Sequence, residues 1–369
     1  MASRPLIIIR SRYFLSLLIG LRCFAASGQT ESTDTVLIFN PTVENIQTIT
    51  YLVQENILPL KSVWFMGIYH EEERYDYTQS AAYLERHPEK PFTLFPVVAD
   101  FSQEELFGVH AGTAVFRELF NTSSGAIFPG GPDLPPETYN EPMHLQTRVT
   151  DPWRHYLELS FVFHLLGGSQ NPQFRAFLED RPGYGILGIC LGMQTLNVGS
   201  GGTLVQDIPW EVYGQTTREE IVSADPRTVH RNYTYDQPLD SIYLTSYHVH
   251  PISVPKHSPL FRFVAAGGNQ DPLVLSSHHQ SIERLGKGLQ VAAYSEDGRV
   301  IEAIAHTSYP SVLGVQFHPE KEYIFSAETV HHVNTDSTIN FNRYLSDKKS
   351  ITFHREFWKG VAEYMDRKE

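Results

Sequence analysis

Residues 185–194, GILGICLGMQ, constrain the chain more than any other stretch. An apolar run with β character, Ile186 to Ile189, stops at Cys190, and small residues stand two places to either side, Gly188 and Gly192. A buried strand ending at a nucleophile between two glycines is the pattern of a nucleophile elbow, whose turn is too sharp for side chains at the flanking positions. The helix expected to start at the thiol places its partial positive charge there and favours thiolate. A free cysteine is more often a small buried hydrophobe. The weight of the elbow reading therefore rests on what the rest of the chain supplies.

The chain of 369 residues is long enough for a large core. Arg4, Arg10 and Arg12 precede an apolar run over 13–21, followed by the small residues Ala25, Ala26, Ser27 and Gly28. That is the layout of a secretory signal peptide, and the run is too short to span a bilayer. Residues 1–28 are read as a leader and 29–369 as a single domain, exported to the periplasm or the extracellular space. Four arginines and no acidic residue lie in 1–28, so cleavage takes the formal charge from −13 to −17. A surface so acidic has no general attraction for nucleic acid or anionic lipid. Cleavage also removes Cys23, one of two cysteines, and leaves Cys190 as a lone thiol in an exported protein, which marks it as reactive.

From Thr35 the pattern alternates. Strands are expected over 36–39, 62–69, 92–98 and 125–128, with helical spacing over 43–57, 77–84 and 103–120. Asp151-Pro152 reads as an N-cap with proline at the first helical position, opening an apolar helix to about Leu166. Such alternation predicts an α/β fold with a mostly parallel central sheet and helices on both faces. Its ligands sit at the carboxyl ends of strands, where both the elbow and the loop Pro129-Gly130-Gly131-Pro132 fall. After Gly202 the texture turns to strands and hairpins, expected over 261–265, 273–277, 289–294, 300–305 and 312–317, so antiparallel strands join in the second half. Residues 206–259 read as irregular covering loops, and Ile351, Phe353, Phe357, Val361 and Met365 share one face of a terminal helix.

The strand over 312–317 runs into His318-Pro319-Glu320. Cysteine attack on a carbonyl needs a base to form the thiolate and an acid for the leaving amine; one histidine does both when a carboxylate holds its ring. Cys190, His318 and Glu320 are thus the candidate nucleophile, acid–base and orienting group. The amide of Leu191 is one oxyanion donor by elbow geometry, and the Gly130-Gly131 loop offers a second. Adjacent histidines in a strand point to opposite faces, so His278 and His279 are not expected to share a metal. No metal or cofactor is expected.

Five ordered motifs, FPGGPDLPP (128–136), GICLGMQ, GGTLVQDIP, SSHHQ (276–280) and GVQFHPE (314–320), resemble those of class I glutamine amidotransferase-like hydrolases. Within that group the resemblance is to the γ-glutamyl hydrolase family that includes γ-glutamyl-γ-aminobutyrate hydrolase, and it covers about residues 125–320. It implies a flavodoxin-like core, a Cys190–His318–Glu320 triad, the Gly130, Gly131 and Leu191 oxyanion hole, and glutamyl contacts from Gln194, Ser277 and His278. The expected partner is a small γ-glutamyl substrate, without nucleic acid or stable membrane insertion; oligomeric state is open. Two other readings stand beside the hydrolase: the ammonia-donating glutaminase half of a synthase, and a non-catalytic binding protein of this fold. The chain departs from the resemblance at 62–77, SVWFMGIYHEEERYDY, and in the Tyr- and His-rich loops over 213–257. There Tyr213, Tyr247, His248 and His250 are expected to face the leaving amine.

Overall fold

A computed structural model describes residues 34–99, 102–235 and 243–366. The leader over 1–28 lies outside the described residues, and from Asp34 onward the chain packs as one unit.

Twelve strands carry the architecture: β1 Asp34–Phe39, β2 Val63–His70, β3 Phe92–Val97, β4 Gly125–Phe128, β5 Gly185–Ile189, β6 Thr203–Val205, β7 His248–Ser253, β8 Leu273–Ser276, β9 Ser281–Arg284, β10 Leu289–Ser295, β11 Ile301–His306 and β12 Val312–Val315. Ten of them form one sheet in the order β3-β2-β1-β4-β5-β12-β11-β10-β7-β8, while β6 and β9 pair separately. Strands β3 to β12 in that order are parallel, and β11, β10, β7 and β8 add antiparallel ladders. The helices are α1 Val43–Gln54, α2 Thr78–Arg86, α3 Thr113–Asn121, α4 Pro152–Leu166, α5 Leu191–Gly199, α6 Arg218–Val222, α7 Phe261–Gly267, α8 Phe341–Asp347 and α9 Ile351–Met365.

The period-two alternation of β1 sorts its side chains between two cores. Val36 and Ile38 join Ile46 of α1 and Phe357, Trp358 and Val361 of α9 on one face of the sheet. Leu37 and Phe39 meet Phe116 of α3, Phe161 of α4 and Leu196 of α5 on the other. Both faces are covered, so the central strands are apolar throughout rather than alternating. Asp151 caps α4 by accepting the Trp153 amide at 3.2 Å, with Pro152 at the first helical position.

Three expectations need correction. The helix expected over 103–120 is broken: a short turn covers Gln103–Glu105 and α3 starts only at Thr113, because Gly108 and Gly112 interrupt the run. Residues expected as a strand from Phe261 form α7 instead. Its short apolar run suits either element, and contact with α9, where Gly360 leaves room for the Phe263 ring, decides for the helix. The covering loops over 206–259 contain α6 and the sheet strand β7.

Candidate active site

Strand β5 delivers Cys190 at the carboxyl edge of the sheet with φ 52° and ψ −104°, a conformation costly for a residue with a Cβ. The turn is held by the Cys190 amide donating to the Val315 carbonyl at 2.8 Å. A Cβ on Gly188 would lie 2.5 Å from the Gly192 carbonyl oxygen, and one on Gly192 would strike the Phe128 carbonyl, so both glycines are required by contact. Leu191 opens α5, and its amide, like the first amides of any helix, has no intrahelical acceptor.

Strand β12 ends at Val315, and the chain bends over Gln316 and Phe317 before it reaches His318. The His318 amide donates to the Leu275 carbonyl at 2.7 Å, and Trp358 of α9 donates to the Pro319 carbonyl at 2.9 Å. His318 Nδ1 donates to Glu320 Oε1 at 2.7 Å, leaving Nε2 for the Cys190 sulfur. Burial opposes a charge on this ring, but the Glu320 carboxylate and the Cys190 sulfur together outweigh it and push His318 up to about 10. Burial likewise works against a charged Glu320; the His318 cation prevails and holds the carboxyl below its usual range. Gln316, which the sequence reading did not single out, directs its Nε2 at the Cys190 sulfur at 3.6 Å. Its spacing from His318 is the signal that could have found it.

The loop after β4 meets the elbow. A Cβ on Gly130 would lie 2.8 Å from His318 Cε1 and 3.6 Å from Cys190 Cβ; one on Gly131 would lie 2.9 Å from Leu191 Cδ2 and collide with Arg154. Arg154 Nη2 donates to the carbonyls of Pro129 (3.1 Å) and Gly130 (3.0 Å), and its Nε donates to Glu158 at 2.8 Å. In a trans peptide the N–H lies opposite the carbonyl, so with the Gly130 carbonyl on Arg154 the Gly131 N–H is turned the other way. His279 holds the far end of the loop, with Nε2 3.1 Å from Asp133 and Nδ1 3.2 Å from Asp207. Arg154, Asp133 and Asp207 were also missed from sequence. Asp133 and Asp207 stand inside the motifs over 128–136 and 201–209, whereas Arg154 lies in none of the five.

The expected substrate contacts fare unevenly. Gln194 is buried one turn into α5 and donates to Gln316 Oε1 at 3.4 Å, so it reaches the Cys190 sulfur through Gln316. Ser277 is half-buried just beyond β8. His278 is buried, with its Nδ1 3.0 Å from the Gln280 carbonyl and its ring against His230 and His250, with Glu302 beside it. His278 and His279 do take different partners, yet His278 meets histidines from other elements. Among the loop residues, the Tyr247 ring stands edge-on to His318, with centroids 5.3 Å apart. Tyr213 instead donates to Asp297 at 2.9 Å, His248 reaches the Pro226 carbonyl, and His250 is fully buried in the histidine cluster. The unusual stretch 62–77 ends at the carboxyl edge of β2. There Glu73 accepts from the His70 amide at 2.8 Å and from the Tyr77 hydroxyl at 2.5 Å, and burial pushes its carboxyl up to about 7.

Fold and site together define an α/β protein with a cysteine elbow at the carboxyl edge of a mainly parallel sheet. The sequence profile of the peptidase C26 family matches residues 107–320, and the chain belongs to that family. A glutamine amidotransferase-like protein of Rickettsia prowazekii is 28% identical over 228 residues, 55% of this chain and 73% of that one. A glutamine amidotransferase of Mycobacterium tuberculosis is 33% identical over 195 residues, 53% of this chain and 50% of that one. The γ-glutamyl-γ-aminobutyrate hydrolase of Escherichia coli is 26% identical over 220 residues, covering 58% and 72%. The chain thus spans between half and about three quarters of these relatives' lengths.

Proposed function

We propose that this chain hydrolyses a γ-glutamyl amide, with Cys190 as nucleophile, His318 as acid and base, and Glu320 as the group that orients the ring. The observation that carries the reading is the convergence of a strained Cys190 and a His318 held by Glu320 at 2.7 Å, in a member of the peptidase C26 family. The Cys190 thiolate forms a bond to the γ-carbonyl carbon, and the carbonyl electron pair moves to oxygen, which the Gly131 and Leu191 amides receive. Collapse of that adduct breaks the carbon–nitrogen bond, and the His318 imidazolium gives its proton to the departing amine. Neutral His318 then takes a proton from water as the oxygen attacks the glutamyl thioester. Expulsion of the Cys190 thiolate releases glutamate and restores the starting pair.

Purified protein incubated with a panel of γ-glutamyl amides should release free amine and glutamate, and hydroxylamine should intercept the thioester as the γ-glutamyl hydroxamate. Ammonia from glutamine, with no other γ-glutamyl amide cleaved, would favour the glutaminase reading that the names of two relatives support. Residues 1–28 are proposed to direct export. Amino-terminal sequencing of protein from the native host tests this, and an intact Met1 on a cytosolic product would remove it.

A further inference from the structure

Four side chains that the catalytic reading does not use converge in the antiparallel half of the molecule. His250 comes from β7, His278 from just past β8, Glu302 from β11 and His230 from the loop after the Pro226–Thr228 turn. One ligand atom from each lies within 4.8 Å of all the others, and every one of the four residues is at least 97% buried. Glu302 Oε1 stands 3.0 Å from His230 Nδ1, 3.7 Å from His278 Nε2 and 3.9 Å from His250 Nε2. We propose that these residues bind one zinc-type divalent cation as a closed, structural site.

Three features support a cation over a chance meeting of polar groups. Among the described residues, both oxygens of Glu302, both nitrogens of His230 and Nε2 of His278 have no hydrogen-bond partner of acceptable geometry. A buried carboxylate that faces only ring nitrogens is costly, whereas a cation at the centre takes one oxygen of Glu302, one nitrogen of His230 and Nε2 of His278 at once. Second, two rings are oriented from behind. His278 Nδ1 faces the Gln280 carbonyl at 3.0 Å and His250 Nδ1 the Pro251 carbonyl at 3.1 Å. That places their N–H groups outward and their Nε2 lone pairs inward, the arrangement that fixes metal-binding histidines. Ser276 Oγ also lies 2.8 Å from His250 Nε2, so a cation displaces that hydroxyl's proton from one lone pair. Third, zinc bonds of 2.0–2.1 Å in a tetrahedron put ligand atoms about 3.3 Å apart, and the separations from Glu302 straddle that edge with small adjustments.

The donor set selects the metal. Three imidazoles and one carboxylate suit zinc and poorly suit calcium or magnesium, which seek oxygen. Four protein ligands close the shell and leave no coordination position for substrate or water, which is the form of a structural site. Its place indicates the consequence. The Gln316 amide donates to the Glu302 carbonyl at 2.8 Å, so one ligand borders the strand end that carries Gln316 and His318. The His278 amide donates to the His230 carbonyl at 3.1 Å, and His278 precedes the His279 clamp on the Gly130-Gly131 loop. The cation would tie the covering loop to three strands and brace two walls of the cleft.

The test uses the full chain with Cys190→Ala, so that the thiol cannot contribute a ligand. Elemental analysis after exhaustive dialysis should find about one zinc per chain. Chelator treatment should lower the Tm by several degrees, and ZnCl2 but not MgCl2 should restore it. Glu302→Gln and His278→Ala should lose the metal. Should those variants fail to fold, cobalt(II) titrated into the stripped Cys190→Ala protein should still give the intense visible bands of a tetrahedral site. Metal retained in full by folded Glu302→Gln would overturn the assignment, as would stripped protein showing neither a Tm rise with ZnCl2 nor cobalt bands.

Discussion

His279 grips Asp133: its Nε2 lies 3.1 Å from each oxygen of that carboxylate. With Asp207 at 3.2 Å on the other nitrogen, the ring joins the glycine loop to the segment after β6. Burial opposes its charge, but the two carboxylates outweigh it and push His279 up to about 9. A histidine raised in the fold contributes stability that is fully present below its unfolded value of about 6.5 and is lost as pH rises through about 9. Urea denaturation between pH 6.5 and 9.5 should therefore show wild type losing stability that His279→Asn lacks at every pH in that window. Since the loop carries a proposed oxyanion donor, the same variant should lower kcat more than it raises KM. A pH dependence identical in both proteins would show that the clamp is not charged.

Removing members of the proposed triad should give unequal losses. Cys190→Ala and His318→Ala should abolish turnover, because each removes a group that bonds to or exchanges protons with the reacting atoms. Glu320 acts through the ring at 2.7 Å, so Glu320→Ala should cost roughly a hundredfold less than either. Single-turnover kinetics on one γ-glutamyl amide decide this, and a Cys190→Ala protein as active as wild type would falsify the mechanism.

How much of this could be read from sequence follows from which interactions are local. The elbow, the His-Pro-Glu strand end and the glycine loop are short motifs whose geometry is set within a few residues, and the parallel sheet follows from alternation. Gln316 was within reach too, since it stands two places before His318 inside the GVQFHPE motif. Arg154 was not: it lies in an apolar helix, and only the fold brings it to Gly130, 24 positions earlier. The histidine cluster is harder still. His230, His250, His278 and Glu302 are spaced by 20, 28 and 24 positions, which matches no ligand motif, and their meeting depends on the order of antiparallel strands. The argument from adjacent histidines addressed only a pair within one strand.

Arg154 and Glu158 form a buried ion pair one helical turn apart, with side chains 6% and 1% exposed. Arg154→Met removes one partner, leaves an uncompensated carboxylate and frees the Pro129 and Gly130 carbonyls. It should destabilise by about 3–5 kcal/mol. Arg154→Met/Glu158→Leu should recover a large part of that stability without recovering activity, because the loop carbonyls stay unbound. Denaturation midpoints and kcat measured on both variants separate the two effects. Recovery of kcat in the double variant would show that Arg154 does not position the loop.

Acid should unfold the protein partly through histidines kept neutral by burial. Burial pushes His155 down to about 3, with the Arg154 charge adding to it, and burial also drives His164 down to about 4. The unfolded chain binds these protons near pH 6.5, so stability is unaffected above that value and falls as pH drops toward 4. Each such group adds up to about 1.4 kcal/mol per pH unit to the slope. His155→Leu should flatten the decline between pH 6 and 4 by about that amount, read from urea midpoints at fixed ionic strength. An unchanged slope would mean that His155 is protonated in the fold.

Tyr247 should influence which amine leaves. Its ring meets His318 edge-on at 5.3 Å, packs on Tyr323 at 5.7 Å and lies under Lys321 Nζ at 5.6 Å. In the proposed reaction His318 hands its proton to the departing nitrogen, so the amine must leave past that ring and along Tyr247. Aromatic contacts of this kind contribute about 0.5–1.5 kcal/mol, or roughly two- to tenfold in relative kcat/KM. Tyr247→Ala should therefore reorder a panel of γ-glutamyl amides by factors of that size, lowering bulky apolar amines most. Gln194→Ala should act differently, since Gln194 supports Gln316 at 3.4 Å and Gln316 reaches the Cys190 sulfur at 3.6 Å. That chain ends on the proposed nucleophile, which is common to every substrate, so all members of the panel should slow by the same factor. If Tyr247→Ala preserves the ranking while Gln194→Ala changes it, the leaving-group side of the cleft lies elsewhere.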